Sequence, residues 1–308
     1  MMNKIRIVLA AALLAPGTAL AGSSASFLRL GTDAKALGMG SAYTAVAQDS
    51  NALYWNPAGM ARLRKADLSA TYAALYSDLK YNTLSFARPT RMGSFGVSAF
   101  HLDAGEQEGR TESRARSSDF SVSDLAVTLG YARRAAGALN LGISAKWIES
   151  RIADESARSF AFDAGAQTIV PGTQVQAGFA VLNLGPKMKF LEESETLPLT
   201  LSGGVAYGGL KFLLLSADVR QDVYNSRTLF SMGAEFSPLS WVSLRAGFLS
   251  HGVSAFHASN KFETGKFSGL SGLGLGLGMK LGRGRVDYSI NPAGELGSAQ
   301  RITLSLTF

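Results

Sequence analysis

The last eight residues, Arg301-Ile302-Thr303-Leu304-Ser305-Leu306-Thr307-Phe308, decide the fold class. Every even position is apolar and every odd position is polar, which is the two-residue period of a β-strand with one apolar face. The same alternation recurs upstream in residues 139–147, 174–181 and 272–279. In each of these segments the opposite face is polar or carries only small residues.

Fourteen such segments follow one another from residue 67 onward. We predict strands over residues 67–76, 80–88, 93–103, 120–132, 139–150, 159–169, 173–182, 197–207, 211–220, 227–236, 240–249, 270–281, 285–290 and 300–308. Single-chain bacterial barrels have an even number of strands, short turns at one end and longer loops at the other. The long connections 104–119, 183–196 and 250–269 all follow odd-numbered segments. The pattern therefore predicts an all-β, 14-stranded antiparallel transmembrane β-barrel.

A soluble β-sandwich, whose strands also alternate, is the alternative to this barrel. Charges on the non-apolar face argue against a sandwich, because a dry core does not accommodate them unpaired. They are Lys146, Asp163, Asp218, Glu235, Arg245, Asp287 and Arg301. A wet lumen accommodates such charges, and a closed barrel leaves no sheet edge in lipid.

The composition of the chain disfavours a soluble cytosolic enzyme. Only 17% of the 308 residues are charged, whereas about a quarter is usual in a soluble chain. The chain contains no cysteine, which excludes disulfides, thiolate metal sites and cysteine nucleophiles.

Residues 1–21 have the form of a signal peptide. Lys4 and Arg6 precede the uncharged residues 7–20, and Ala19-Leu20-Ala21 has the small-x-small form of a cleavage site. The uncharged stretch is shorter than the roughly 20 residues that a membrane-spanning helix needs. We expect cleavage after Ala21 and export, with a retained membrane anchor as the alternative.

Residues 22–66 do not fit the strand pattern and are rich in small residues. A barrel of fourteen strands is wider than the eight-stranded size that interior side chains can fill. We therefore expect residues 22–66 to form a plug, or hatch, in the lumen of a barrel built from residues 67–308. Pro57 lacks a backbone donor and biases Asn56 toward an extended conformation, which favours an irregular plug over a helix.

The N-terminal motif resembles that of a known group of proteins. The residues Gly38, Gly40, Asp49 and Asn56-Pro57-Ala58-Gly59 are similar to the hatch of FadL-like (OMPP/TodX-type) outer-membrane barrels. Phe27-Leu28-Arg29-Leu30-Gly31 and Asn183-Leu184-Gly185-Pro186 resemble the PorV/PorQ branch of that superfamily, and the resemblance extends over the whole chain after residue 21. The sequence departs from the pattern at Gln48, where a second acid beside Asp49 is expected, so a paired carboxylate there is in doubt.

The resemblance implies two competing functions. FadL-type members pass hydrophobic molecules through a hatch kink and a gap in the barrel wall, whereas PorV-type members serve type IX secretion. We expect a non-enzymatic channel for hydrophobic small molecules in the bacterial outer membrane, with a barrel that binds or shuttles exported protein cargo as the alternative. Loop residues Phe256, Phe262 and Phe267 suit either function. The expected partners include outer-membrane lipid and lipopolysaccharide.

Motifs for other chemistry are weak. Gly38-x-Gly40 lacks the third glycine and the preceding strand of a dinucleotide site. His251 and His257 lie in one predicted loop, and His101 with Asp103 is read as an ordinary pair at the barrel rim. We expect no enzyme activity, no cofactor, no metal site and no nucleic-acid partner.

Charges on the inward face are the candidate functional residues of the barrel itself. Glu235 and Arg245 lie on neighbouring predicted strands, as do Asp287 and Arg301. Opposite charges there could clamp the plug or pair within the wall. Glycines at positions 272, 274, 276 and 278 leave one predicted strand without inward side chains, so that either the plug packs there or a passage runs there.

The C-terminal residue carries a separate prediction. Phe308, at the end of the last alternating strand, resembles the signal that the barrel assembly machinery reads. That machinery is therefore an expected partner.

Overall fold

The computed structural model describes residues 25–75, 79–107, 120–190, 193–250, 253–254, 272–292 and 298–308. The predicted signal peptide lies outside these residues, as do the loop residues His251, Phe256, His257, Phe262 and Phe267. Within the described part of the chain, no helix is long and apolar enough to cross a membrane.

The described residues form seventeen strands and four short helical turns. The strands are β1 (Asp67–Ala74), β2 (Lys80–Thr90), β3 (Gly93–Gln107), β4 (Phe120–Ala136), β5 (Leu139–Ile152), β6 (Glu155–Ile169), β7 (Val175–Leu184), β8 (Met188–Phe190), β9 (Glu193–Glu195), β10 (Thr200–Leu210), β11 (Leu213–Asp222), β12 (Arg227–Leu239), β13 (Val242–Leu249), β14 (Val253–Ser254), β15 (Leu273–Leu281), β16 (Gly284–Pro292) and β17 (Ser298–Thr307). The helical turns are α1 (Ala34–Gly38), α2 (Ala52–Trp55) and the 3₁₀ turns Ser26–Arg29 and Pro57–Arg62.

Fourteen of the strands close into one antiparallel barrel. Each barrel strand pairs with the next along the chain, and β1 pairs with β17 to close the ring. The short strand β14 adds to the end of β12, and β8 and β9 form a separate hairpin. The predicted all-β, fourteen-strand antiparallel barrel is confirmed. Observed strands β3, β5 and β6 extend beyond their predicted bounds at the end of the barrel that carries the longer connections, whereas β4 extends at the opposite end.

The two faces of the barrel wall have opposite polarity. In β17, Thr303 is completely buried whereas Leu304 is 54% exposed. The same inversion holds in β5, where Ser144 is buried and Ile143 is 61% exposed. Polar side chains therefore face the interior and large apolar side chains face outward, which is the arrangement of a barrel surrounded by lipid.

The two ends of the barrel differ in their connections. At one end, named the turn end, the strands are joined by residues 91–92, 137–138, 170–174, 211–212, 240–241 and 282–283. The other end, named the loop end, carries the connections 75–79, 108–119, 153–154, 185–199, 223–226, 250–272 and 293–297. The connection 153–154 is a tight turn, because β5 and β6 continue past the ends that the sequence predicted.

Residues 25–66, named the N-terminal segment, lie inside the ring. The segment donates and accepts hydrogen bonds with inward side chains on opposite sides of the barrel, including Thr83 of β2 and Asp218 of β11. Its side chains Tyr43 and Trp55 are almost fully buried and pack edge to face, with ring centroids 6.0 Å apart. The core of the protein is thus the contact between this segment and the inner face of the wall.

Candidate functional site: the lumen

Glycines of β15 allow the N-terminal segment to pack directly on the backbone of the wall. A Cβ atom on Gly276 would lie 3.1 Å from the Cα of Gly38, and one on Gly274 would collide with the carbonyl oxygen of Leu37. Gly40 has a φ of +60°, a left-handed conformation that glycine adopts without strain. Of the two alternatives for this strand, the structure therefore has the segment packed on it and not a passage.

Asn56 joins the N-terminal segment to the opposite side of the wall. Its side chain donates to the carbonyl oxygens of Ala166 and Phe179, in β6 and β7, at 3.1 and 3.3 Å. Its own oxygen accepts from the N–H of Ala58 at 3.2 Å, at the start of the 3₁₀ turn that Pro57 opens. Gly59 packs so tightly on the backbone of Ala47 that a Cβ atom would not fit.

Asp49 connects the segment with a group of wall charges. It accepts from the hydroxyl of Tyr43 at 3.0 Å and lies 3.9 Å from Lys35 and 3.7 Å from Arg285. Gln48, at the position where a second acid was expected, is exposed.

Asp33 is a buried carboxylate that lies outside the motifs predicted to be functional. It accepts from the N–H of Ala36 at 2.9 Å and from the indole N–H of Trp55 at 2.8 Å. Burial, with the charge of Asp49, raises the pKa of Asp33 to about 6. An aspartate immediately before the sequence Ala-Lys-Ala-Leu is a helix N-cap signal, so the sequence did carry a sign of its position.

The predicted wall charges Glu235, Arg245 and Asp287 lie together. Arg245 donates from Nε to Glu235 at 2.5 Å and from Nη1 to Asp287 at 2.7 Å. Arg285 donates to the second oxygen of Asp287 at 2.6 Å. Because Arg285 also lies 3.7 Å from Asp49, this group is both a set of wall pairs and an electrostatic contact with the N-terminal segment.

Arg301 has different partners from those proposed for it. It donates to the hydroxyl of Tyr81 at 2.7 Å and to the side chain of Asn291 at 2.9 Å, rather than to Asp287. Tyr81 in turn donates to the carbonyl oxygen of Gly31 at 2.8 Å. Arg301 therefore acts on the segment through a tyrosine, which no charge pattern in the sequence would reveal.

A β-bulge between β6 and β7 brings four polar side chains together. Between β6 and β7 the pairing shifts from Phe162–Leu184 to Ala164–Val181, so Asp163 lies opposite two residues of β7. One of the two, Asn183, has a φ of +62°. The bulge is the point at which the ladder of backbone hydrogen bonds between these strands is interrupted.

Asp163 closes this interruption with side-chain hydrogen bonds. It accepts from the N–H of Asn183 at 2.7 Å, from Ser144 at 2.6 Å and from Lys146 at 3.1 Å. Lys146 also donates to the side-chain oxygen of Asn183 at 2.6 Å. The side chains of Asp163 and Lys146 are 0% and 4% exposed. We name these four residues, Ser144, Lys146, Asp163 and Asn183, the bulge cluster.

Among the described residues, two cavities of the lumen lie on opposite sides of the N-terminal segment. The loop-end cavity has a volume of about 280 Å³ and is lined by Leu28, Arg29, Tyr54, Trp55, Lys146, Leu182, Asn183, Thr200, Arg220, Asp222, Asn225, Arg227 and Leu229. The turn-end cavity has a volume of about 650 Å³ and is lined by Lys35, Gln48, Asp49, residues 61–65, Asp67, Arg134, Ala138, Asn140, Ile169, Arg285 and Thr307.

An apolar groove of about 520 Å³ lies on the outer face of β4 to β7. It is lined by residues that include Leu129, Ile143, Phe162 and Leu184, together with Ser144 and Asp163 of the bulge cluster. Lys146 and Asn183 of the same cluster line the loop-end cavity. The bulge cluster thus borders the interior cavity on one side and the outer groove on the other.

The remaining predicted residues lie away from this site. Phe308 exchanges two backbone hydrogen bonds of 3.0 Å with Ala66, and its ring stacks with Phe86. His101 and Asp103 are exposed on the outward face of β3.

Known proteins resemble the chain in part of its sequence and in its fold. Residues 24–147 match a family model described as "Uncharacterised protein family (UPF0164)". No curated protein matches the chain.

Solved structures with the same architecture include two that are described as toluene transporters. The Pseudomonas putida toluene transporter TodX has a TM-score of 0.64 and 12% identity, over 90% of this chain and 97% of its own. The Ralstonia pickettii toluene transporter TbuX has a TM-score of 0.62 and 13% identity over 90% and 97%. A Pseudomonas aeruginosa FadL homologue has a TM-score of 0.60 and 13% identity over 90% and 98%. At these identities the likeness concerns the fold: the chain has the barrel fold of FadL-type channels.

Proposed function

We propose that this protein is a non-enzymatic channel of the bacterial outer membrane that passes hydrophobic small molecules, with the N-terminal segment as its plug. An outward apolar face and a polar, filled interior support a place in the membrane. The resemblance of the motif from Gly38 to Gly59 to FadL-type hatches, together with the fold shared with toluene transporters, supports the channel function. We also propose that the chain belongs to the PorV/PorQ branch of that superfamily.

The position of the bulge cluster is the observation that carries the proposal. The loop-end cavity inside the barrel and the apolar groove outside it are separated by Ser144, Lys146, Asp163 and Asn183. Elsewhere along a paired strand, opening the wall would break successive backbone hydrogen bonds. At the bulge the closure consists of side chains, so a small movement of β7 joins the two spaces.

The loop-end cavity has an apolar part that suits an apolar guest. Leu28, Leu182 and Leu229 and the rings of Tyr54 and Trp55 contribute this lining, beside the charged residues Arg29, Lys146, Arg220, Asp222 and Arg227. Its volume of about 280 Å³ is near the lower end of the roughly 300–1,000 Å³ range of small-molecule sites. A single-ring hydrocarbon is therefore a reasonable probe for the channel.

Uptake of radiolabelled toluene by whole cells tests the function. Cells are the appropriate system, because toluene crosses simple lipid bilayers unaided whereas the lipopolysaccharide leaflet slows its entry. We expect cells that make the protein to take up micromolar toluene faster, and in a saturable manner, than otherwise identical cells that do not make it. Equal uptake would contradict the channel function.

Native mass spectrometry of the protein extracted from its own membrane separates the two functions that the sequence left open. A bound small apolar molecule agrees with the channel. A bound polypeptide, in the absence of toluene uptake, would instead favour the secretion-linked barrel that binds or shuttles exported cargo.

A further inference from the structure

The turn-end cavity carries an excess of positive charge that the channel function does not explain. Six cations line it, namely Lys35, Arg62, Arg64, Lys65, Arg134 and Arg285, against two acids, Asp49 and Asp67. The formal charge of this lining is therefore 6 − 2 = +4. Molecules that leave through the wall between β6 and β7 do not pass through this cavity, so the proposed channel does not account for its charge.

Both acids are already engaged within the protein. Asp67 accepts from the N–H and the hydroxyl of Ser50 at 2.9 and 2.6 Å. Asp49 accepts from the hydroxyl of Tyr43 at 3.0 Å and from the N–H of Asn51 at 3.2 Å. Both carboxylates therefore already accept hydrogen bonds from groups within the protein.

Three of the cations have no such engagement. Among the described residues, Arg64, Lys65 and Arg134 form no side-chain ion pair or hydrogen bond, and all three are exposed. Arg64 and Lys65 end the N-terminal segment, whereas Arg134 lies on β4 of the wall. Cations of the N-terminal segment and of the wall thus line the same cavity and repel each other across it.

We propose that the turn-end cavity binds a small soluble polyanion that carries two or more phosphate or carboxylate groups. A volume of about 650 Å³ fits a small molecule. Four of the six cations are arginines, whose guanidinium groups bind phosphate and carboxylate in a bidentate manner. Asp287, outside the lining, pairs with Arg285 at 2.6 Å, which leaves 4 − 1 = +3. A single negative charge would leave most of this +3 uncompensated, so the ligand carries several.

The site has a consequence for the N-terminal segment. A polyanion between Arg64 and Arg134 bridges the segment and the wall and removes their mutual repulsion. Bound ligand therefore stabilises the packed position of the segment. A ligand in the turn-end cavity thus holds the N-terminal segment in the lumen, whichever molecule passes through the barrel.

Titration calorimetry on the full-length protein in uncharged detergent tests the site, with inorganic pyrophosphate as the probe and acetate at equal ionic strength as the monoanion. We expect pyrophosphate to bind at least about tenfold more tightly than acetate. We expect Arg134→Gln and Arg64→Gln each to weaken pyrophosphate roughly tenfold, the loss of one charge-assisted contact. Arg133→Gln is the matched control, because Arg133 pairs with Leu141 on the outward face of the wall and should leave the affinity unchanged.

Three results would overturn the proposal. One is the absence of pyrophosphate binding at millimolar concentration. Another is equal weakening by Arg133→Gln and Arg134→Gln, which would indicate diffuse surface charge. The third is binding to mixed micelles that contain phosphatidylglycerol without any binding of pyrophosphate, which would indicate a lipid headgroup. These results are independent of toluene uptake.

Discussion

Asp163 accepts a hydrogen bond of 2.7 Å from the backbone N–H of Asn183, at the point where β6 and β7 lose register. The carboxylate replaces a backbone carbonyl that the bulge has moved away. The carboxylate thereby bridges β6 and β7 between the paired positions Phe162–Leu184 and Ala164–Val181. The ion pair with Lys146, on β5, ties that side chain to a third strand.

Removing one partner of this pair should destabilise the barrel. Lys146→Met leaves the buried Asp163 without its counter-ion, and breaking a buried pair in this way costs about 3–5 kcal/mol. The measurement is urea unfolding of the protein in lipid vesicles. Ser144→Ala is the control, because it removes one neutral donor to the same carboxylate and costs about 1 kcal/mol. Equal effects of the two substitutions would contradict a central role for the ion pair.

The stability of the N-terminal segment should depend on pH through Asp33. Its pKa of about 6, against 3.8 ordinarily, means that the folded protein binds a proton more strongly than the unfolded chain. Stability from this group is therefore present below pH 4 and falls as the pH rises through 6. The higher pKa of Asp33 in the folded protein corresponds to at most about 3 kcal/mol of stability.

Guanidinium unfolding at pH 5.0 and pH 7.5 measures this dependence. The wild type should be more stable at pH 5.0, and Asp33→Asn should remove most of the difference while keeping one acceptor for Ala36. A difference that persists in Asp33→Asn would assign the pH dependence to other groups.

Replacing Gly276 should move the N-terminal segment. A Leu side chain at this position occupies the space of Gly38, whose Cα would lie 3.1 Å from a Cβ atom. We expect Gly276→Leu to raise conductance in planar bilayers and to expose the segment to trypsin. Leu277→Val changes the neighbouring outward residue and should do neither. If both properties were unchanged in Gly276→Leu, the segment would not depend on this contact.

Phe308 carries a prediction about assembly. Its ring is 52% exposed and stacks on Phe86, 6.3 Å between centroids, so its deletion removes little buried structure. We nevertheless expect the deletion to leave the protein unassembled in the periplasm, because the assembly machinery would no longer read the last strand. Heat-modifiability on gels measures the folded fraction. Normal amounts of folded barrel would argue against this role.

The strands could be predicted from the sequence because alternation is a local property. In β17 each apolar residue faces outward and each polar residue inward without exception from Arg301 to Leu306. The pattern does not depend on which strand is the neighbour. The predicted strands are too short where β3 and β6 continue past the apolar outer surface of the barrel. Both faces of these strand ends carry polar or small residues, so the alternation is lost there.

The contacts of the site depend on register and on the N-terminal segment, and sequence patterns do not specify either. Asp163 reads as one more inward charge, and nothing in the sequence shows that Asn183 adopts a positive φ opposite it. The partner of Arg301 is Tyr81, on β2, because the last strand closes the ring beside the first. Asp33, by contrast, could have been found from its N-cap position.

Cross-linking the bulge tests the central claim, that molecules leave the barrel through the wall between β6 and β7. The chain has no cysteine, so Ala164→Cys with Val181→Cys, a directly paired position beside the bulge, places a single removable disulfide there. Ala70→Cys with Leu84→Cys, an outward-facing pair between β1 and β2, is the matched control. We predict that the oxidised bulge variant loses saturable toluene uptake and regains it on reduction, while the control takes up toluene in both states. Undiminished uptake by the oxidised bulge variant would contradict a passage through this part of the wall.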